Sequence, residues 1–130
     1  MLSISRTFTF ESAHYLPNVP DGHKCGRMHG HSYEVTVHMT GPVGATTGWI
    51  MDFGDVAALV DPVVRSLDHR TLNDIPGLAN PTSENLAVWF WTKLADSLPG
   101  LSTIEVSETR KSKCIFTGPP PVAGSAVDRA

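Results

Sequence analysis

"HGHSYEVTVHMT", residues 29–40, alternates along its length: His29, His31, Tyr33, Val35, Val37 and Met39 fall on one side, and Ser32, Glu34, Thr36 and His38 on the other. Side chains two apart in an extended chain point the same way, so the pattern predicts a half-buried strand whose apolar face starts with two histidines. "SISRTFTFESAH", residues 3–14, repeats the rule with Phe8, Phe10, Ser12 and His14 on one face and Thr7, Thr9 and Glu11 on the other. One strand ends on a histidine and the next begins on two.

Beyond residue 51 the period changes. In "DFGDVAALVDPVVRSL", residues 52–67, Val56, Leu59, Val60, Val63, Val64 and Leu67 recur at helical spacing behind an Asp52 cap, with Pro62 as a point of bending. A second helix is predicted from "PTSENLAVWFWTKLADSL", residues 81–98, with Leu86, Phe90, Leu94 and Leu98 on one stripe and Gly100 as its stop. "STIEVSET" and "KCIFTG" close the chain as two strands joined by a short basic turn. The order strand-strand-helix-helix-strand-strand predicts an α+β fold, a four-stranded antiparallel sheet with both helices on one face. Its open edges favour pairing between subunits.

Composition narrows the function. With 130 residues, 41% hydrophobic and 18% charged, the chain is an ordinary single globular domain, and a net charge of -3 with pI near 6.0 offers no field for nucleic acid or anionic membrane. The N-terminus lacks the apolar run of a signal peptide, and no stretch is long enough to span a bilayer. Cys25 and Cys114 form no CxxC pair, which excludes a four-cysteine zinc site and suits a reducing cytoplasm. Pro and small residues after Thr117 predict a flexible tail over 119–130, leaving 1–118 as the domain.

The strand faces bring the chemistry forward. His29 and His31 across Gly30 can offer two imidazoles to one metal ion, with Gly30 leaving room between them, and His14 at the neighbouring strand end can supply a third. Three histidines with one open position describe a catalytic zinc site, against the alternative of surface histidines. Cys25 is either a fourth ligand or, beside Lys24 and Arg27, a nucleophile or base; Cys114 reads as a small buried strand residue. Asp68 can orient His69, or His69 can simply sit at a helix end where the dipole favours it. Glu108 continues the face of Ile104 and Val106, so its carboxylate needs a partner: Arg110, or a ligand with adjacent N–H donors such as a pterin or guanine edge.

Taken in order, "FTFESAH", "GHKCGRMHGHSY", "GWIMDF", "LDHRTLNDIPGLANPTSENLA" and "EVSET" resemble the 6-pyruvoyltetrahydropterin synthase family, in its bacterial 6-carboxytetrahydropterin synthase branch of the queuosine (7-deazaguanine) pathway. The resemblance runs from about Ser3 to Gly118. It implies a tunnelling fold whose trimers close their sheets into a barrel and stack as a homohexamer, with sites shared between subunits. It implies one zinc per subunit on His14, His29 and His31, catalytic Cys25, Asp68 and His69, and Glu108 as the pterin anchor, with Thr82 and Ser83 as further pterin contacts. The implied reaction turns 7,8-dihydroneopterin triphosphate into 6-carboxy-5,6,7,8-tetrahydropterin, acetaldehyde and triphosphate. A 6-pyruvoyltetrahydropterin synthase, which eliminates triphosphate only, and a non-catalytic zinc-stabilised binding module are the rivals. The three-residue spacer "GRM" between Cys25 and His29 is that of the carboxy-forming branch. Tyr15 stands where the family commonly has arginine, and "RKSK" replaces a turn of small residues, so the phosphate contacts are left among Lys24, Arg27, Lys111 and Lys113.

Overall fold

A computed structural model describes residues 1–119; of the tail expected over 119–130, residues 120–130 lie outside the described residues. Both long N-terminal strands form as the alternation requires. β1 (Ser3–His14) and β2 (His29–Thr40) pair antiparallel from Ser3↔Thr40 to His14↔His29. After α1 (Phe53–Arg65) comes a two-residue strand, β3 (Arg70–Thr71), then α2 (Ser83–Leu94), β4 (Leu101–Thr109) and β5 (Ser112–Thr117).

The sheet has five strands in the order β3-β1-β2-β4-β5, and β3 runs parallel to β1 through Ser12↔Arg70 and Ala13↔Thr71. This corrects the expected four-stranded antiparallel sheet: the sheet is mixed. Two residues are too few to carry an alternation, so β3 left no periodic signal. The α+β class and the order of the four long strands and two helices are as expected.

Burial follows the faces. Phe8 and Phe10 of β1, Tyr33, Val35, Val37 and Met39 of β2, and Ile104 and Val106 of β4 join Val56, Val60 and Val64 of α1 and Leu86, Phe90 and Leu94 of α2 in one core. Removing each such side chain from water contributes about 1.5–3 kcal/mol, which is why the helices are held to this face. The opposite face stays polar: Thr7 and Thr36 share a hydroxyl hydrogen bond of 2.8 Å, while Glu105 meets His38 and, at 3.3 Å, Lys113 Nζ. His38 first, with Lys113 assisting against burial, holds the Glu105 carboxyl below its usual range.

The helices are shorter than predicted. Asp52 caps α1 by accepting from Gly54 N–H at 3.0 Å, and the helix runs through Pro62 without ending; Leu59 faces solvent, not the core. α2 stops at Leu94, although Leu98 is still buried in the turn that follows. Gly100 is therefore a turn residue and not the helix stop. Its φ of +81° suits glycine, its carbonyl accepts Thr40 N–H at 2.8 Å, and a Cβ there would overlap the Thr40 carbonyl oxygen.

Gly100→Ala is expected to lose at least about 2 kcal/mol in urea unfolding, from left-handed backbone strain plus the clash. Gly22, also at positive φ (+83°) but with open space where a Cβ would stand, is the control and should lose about 1 kcal/mol on the same change. Equal losses at the two positions would remove the close approach as the cause.

Candidate active site

The register of β1 and β2 assembles three histidines able to hold a metal. His14 lies directly opposite His29, and Ser12 opposite His31, so all three imidazoles project from one face at the strand ends. Gly30 has no part in this, since a Cβ on it would meet only the Ser12 carbonyl oxygen at an ordinary 3.7 Å. One ligand atom from each histidine falls within 4.8 Å of the other two.

Hydrogen bonds fix which nitrogens face inward. His14 Nδ1 lies 2.8 Å from the Pro81 carbonyl and His29 Nδ1 lies 2.6 Å from the Arg27 carbonyl. A carbonyl only accepts, so each Nδ1 carries the proton and each Nε2 is left with a bare lone pair. Those two Nε2 atoms are 3.1 Å apart, and His31 Nε2 is buried without a hydrogen-bond partner. Facing lone pairs repel unless a cation lies between them. Tetrahedral zinc with Zn–N of about 2.0–2.1 Å would set nitrogens roughly 3.3 Å apart, so the donor set fits such an ion. Burial above all, with the two neighbouring rings, lowers the His31 pKa against the opposing pull of Glu108, keeping its ring in the neutral form a metal needs.

A cavity of about 450 Å³ opens beside the cluster, lined by His14, Leu16, Lys24, Cys25, His29, His31 and Glu108. Cys25 sits in a single 3-10 turn, Lys24–Gly26, where its N–H donates to His23 Nδ1 at 3.0 Å and its carbonyl accepts Leu16 N–H at 2.8 Å. Leu16, an apolar wall that sequence reading passed over, lies in a loop with no periodicity to mark it. Glu108, on β4, is half-buried. Its Oε1 accepts the Ser83 hydroxyl at 3.0 Å and its Oε2 stands 3.6 Å from His31 Nε2. Arg110 is not its partner, lying instead beside Glu34 and Glu105 on the polar face.

Ser83 thus reaches the cavity through Glu108, whereas Thr82 caps α2 by accepting from Asn85 N–H at 3.1 Å and does not line the cavity. Asp68 and His69 sit elsewhere. The Asp68 carboxylate accepts Glu11 N–H at 2.8 Å and lies 2.9 Å from His69 Nδ1. The Glu11 hydrogen bond first, and His69 next, hold its carboxyl below the usual range. His69 is beyond the end of α1, at a φ of 56°, and its side chain is 79% exposed. His69, without Asp68, borders a separate concavity of about 510 Å³ that shares only His31 with the cavity of Cys25.

A three-histidine cluster able to hold a metal opens onto a cavity with a cysteine and an anchored carboxylate, an arrangement that suits an open site better than a closed structural one. The profile of the 6-pyruvoyl tetrahydropterin synthase family matches residues 3–119, and the chain belongs to that family. It is 42% identical to the 6-carboxy-5,6,7,8-tetrahydropterin synthase of Synechocystis over 92% of this chain and 95% of that one. It is 30% identical to human 6-pyruvoyl tetrahydrobiopterin synthase over 88% of this chain and 90% of that one. The Caenorhabditis elegans 6-pyruvoyl tetrahydropterin synthase structure superposes with a TM-score of 0.83 at 27% identity, covering 91% of this chain and 96% of that one.

The purified chain should carry one divalent metal per subunit, and His29→Ala should abolish it in elemental analysis after dialysis. His38→Ala, on the polar face, should leave metal content unchanged. Stoichiometric metal in the His29 variant would rule out this ligand set.

Proposed function

We propose that the chain is a zinc-dependent 6-carboxy-5,6,7,8-tetrahydropterin synthase. It takes up 7,8-dihydroneopterin triphosphate and water and releases 6-carboxy-5,6,7,8-tetrahydropterin, acetaldehyde and triphosphate, in queuosine biosynthesis. The observation that carries this reading is the single cavity joining His14, His29 and His31 to Cys25 and to a carboxylate held by Ser83. The 6-carboxytetrahydropterin synthase relative and the short Cys25–His29 spacer favour it over triphosphate elimination alone.

Each residue has a task its position suits. Glu108 presents carboxylate oxygens to the adjacent N–H donors of the pterin, with Ser83 steadying Oε1, while Thr82 serves the segment by capping it. Bound on the three histidines, zinc supplies a Lewis acid that polarises side-chain oxygen and acidifies the neighbouring C–H. Cys25 moves a proton on one side of the substrate side chain. His69 moves one on the other, its Nδ1–H fixed toward Asp68 so that Nε2 is the exchanging nitrogen. Lys24, the one lysine or arginine in the lining of this cavity, is the candidate for the phosphate end.

His69 is exposed and does not line the cavity of its own Cys25, so it would serve the cavity of a neighbouring subunit. The sheet offers the means: β3 covers only Ser12 and Ala13 of β1, and β5 is an edge among the described strands. Pairing these edges would close the trimeric barrel, two of which stack in the homohexamer that the family resemblance implies. No helix among the described residues is long and apolar enough to cross a membrane. Free Cys25 and Cys114 fit the cytoplasm.

Incubation with 7,8-dihydroneopterin triphosphate should give acetaldehyde and triphosphate in equal amounts. Cys25→Ala should keep its zinc and lose at least about 100-fold in kcat. Triphosphate without acetaldehyde would make the chain a pyruvoyl-forming synthase, and zinc binding without turnover would make it a binding module.

Shared sites have their own test. Cys25→Ala and His69→Ala, each inactive alone, should regain activity when refolded together, because mixed oligomers contain sites with one intact Cys25 and one intact His69. Mixed oligomers that stay inactive would place the whole site within one subunit.

A further inference from the structure

Among the described residues, two buried side-chain atoms lack a hydrogen-bond partner: His31 Nε2 and the Tyr33 hydroxyl. The first belongs to the metal cluster. The second has no such account. Tyr33 is 0% exposed, and its ring lies parallel to Phe10 at 4.9 Å between centroids, with His14 and His31 edge-on at 5.9 and 5.4 Å. Rings packed on these sides hold the phenol in place. A phenylalanine would fill the same space without burying an unpartnered hydroxyl, which is costly.

The register points to the missing partner. β2 and β4 pair Val35 with Val106 and Glu34 with Ser107. One step further along the same ladder sets Tyr33 against Glu108, on the face where Val35 and Val106 are buried. A phenol hydroxyl can donate one hydrogen bond, and a carboxylate oxygen can accept it.

Glu108 has one oxygen in need of a donor. Oε1 accepts from Ser83, but Oε2 has only His31 Nε2, at 3.6 Å, beyond a good hydrogen bond. A metal on His31 takes the Nε2 lone pair, and that nitrogen then cannot carry a hydrogen toward Glu108. We infer that Tyr33 is a positioning residue for Glu108: once the three histidines hold their metal, its buried hydroxyl donates to Oε2 and, with Ser83 on Oε1, aims the carboxylate at the ligand. Metal loading and pterin recognition are thereby coupled through one side chain, and the ligand's identity as a pterin rests on the function proposed above.

Two measurements test this. Neopterin, which lacks phosphate, should bind zinc-loaded Tyr33→Phe about tenfold more weakly than zinc-loaded wild type. Zinc content should be equal, and the two metal-free proteins should bind neopterin alike. In a Glu108→Gln background the Tyr33→Phe change should cost nothing further. Independently of any pterin, zinc addition should shift the side-chain carboxyl carbon resonance of Glu108 in wild type and much less in Tyr33→Phe. Equal neopterin affinity of the loaded proteins, a loss that persists in the Glu108→Gln background, loss of zinc from Tyr33→Phe, or an equal zinc-induced resonance shift would overturn the inference. Failure of wild type to bind neopterin would strike at the pterin reading instead, and the Glu108 resonance would still decide the role of Tyr33.

Discussion

The site depends on one constraint, the register between β1 and β2. Because His14 faces His29 and Ser12 faces His31, three imidazoles converge at the loop end of a hairpin whose inward positions include Phe8, Phe10, Tyr33, Val35, Val37 and Met39. A slip of one residue would turn either strand over, sending the aromatic and aliphatic side chains to solvent and the histidines to the polar face. The core therefore fixes the geometry of a histidine cluster able to hold a metal. Burial of large side chains several residues away sets the position of nitrogens that must be correct to a few tenths of an ångström.

This coupling explains what was legible in the sequence. The alternation of Phe8, Phe10, Ser12 and His14 and of His29 through Met39 carries both the strand assignment and the histidine placement, so one pattern predicts fold and cluster together. The helical stripes are equally plain in Val56, Val60 and Val64 and in Leu86, Phe90 and Leu94. What could not be read were features made by tertiary contact. β3 has two residues and exists because Arg70 and Thr71 lie alongside Ser12 and Ala13. Leu16 is a wall of the cavity only because its loop is tied to the carbonyl of Cys25. Glu108 could be seen to need a partner, but only the fold chooses Ser83 over the nearer Arg110.

Asp68 and His69 are the residues on which the proposed sharing of sites between subunits turns. Asp68 is pinned by the backbone of Glu11, and His69 is held in a left-handed conformation that costs a non-glycine residue of order 1 kcal/mol. The His69 N–H also donates to the Glu11 carbonyl at 2.6 Å, so both residues are tied to β1 at the point where it leaves the short β3 pairing. A histidine ordered this firmly on its backbone side and left open on its imidazole side has a tautomer but no local substrate. Such an arrangement suits the proposed sharing of sites better than a histidine idle at a helix end.

The unsatisfied groups point the same way. Elsewhere among the described residues buried side-chain polar atoms find partners, as the Ser12 hydroxyl does on the Leu67 carbonyl, and more exposed groups are paired too: helix caps at Asp52 and Thr82, Glu105 between His38 and Lys113. The exceptions lie together, in facing His14 and His29 lone pairs, an unpartnered His31 Nε2 and an unpartnered Tyr33 hydroxyl. Each raises the free energy of the folded chain without its ligand, and a cation on the three histidines would relieve the imidazole repulsions at once. Binding to the folded state alone then stabilises it by mass action, so fold and site share one free-energy balance. A site that is under strain when empty is also preorganised, because its groups need not turn toward the ion when it arrives. The rigid strands that make the empty cluster unfavourable are the same elements that fix its geometry for binding.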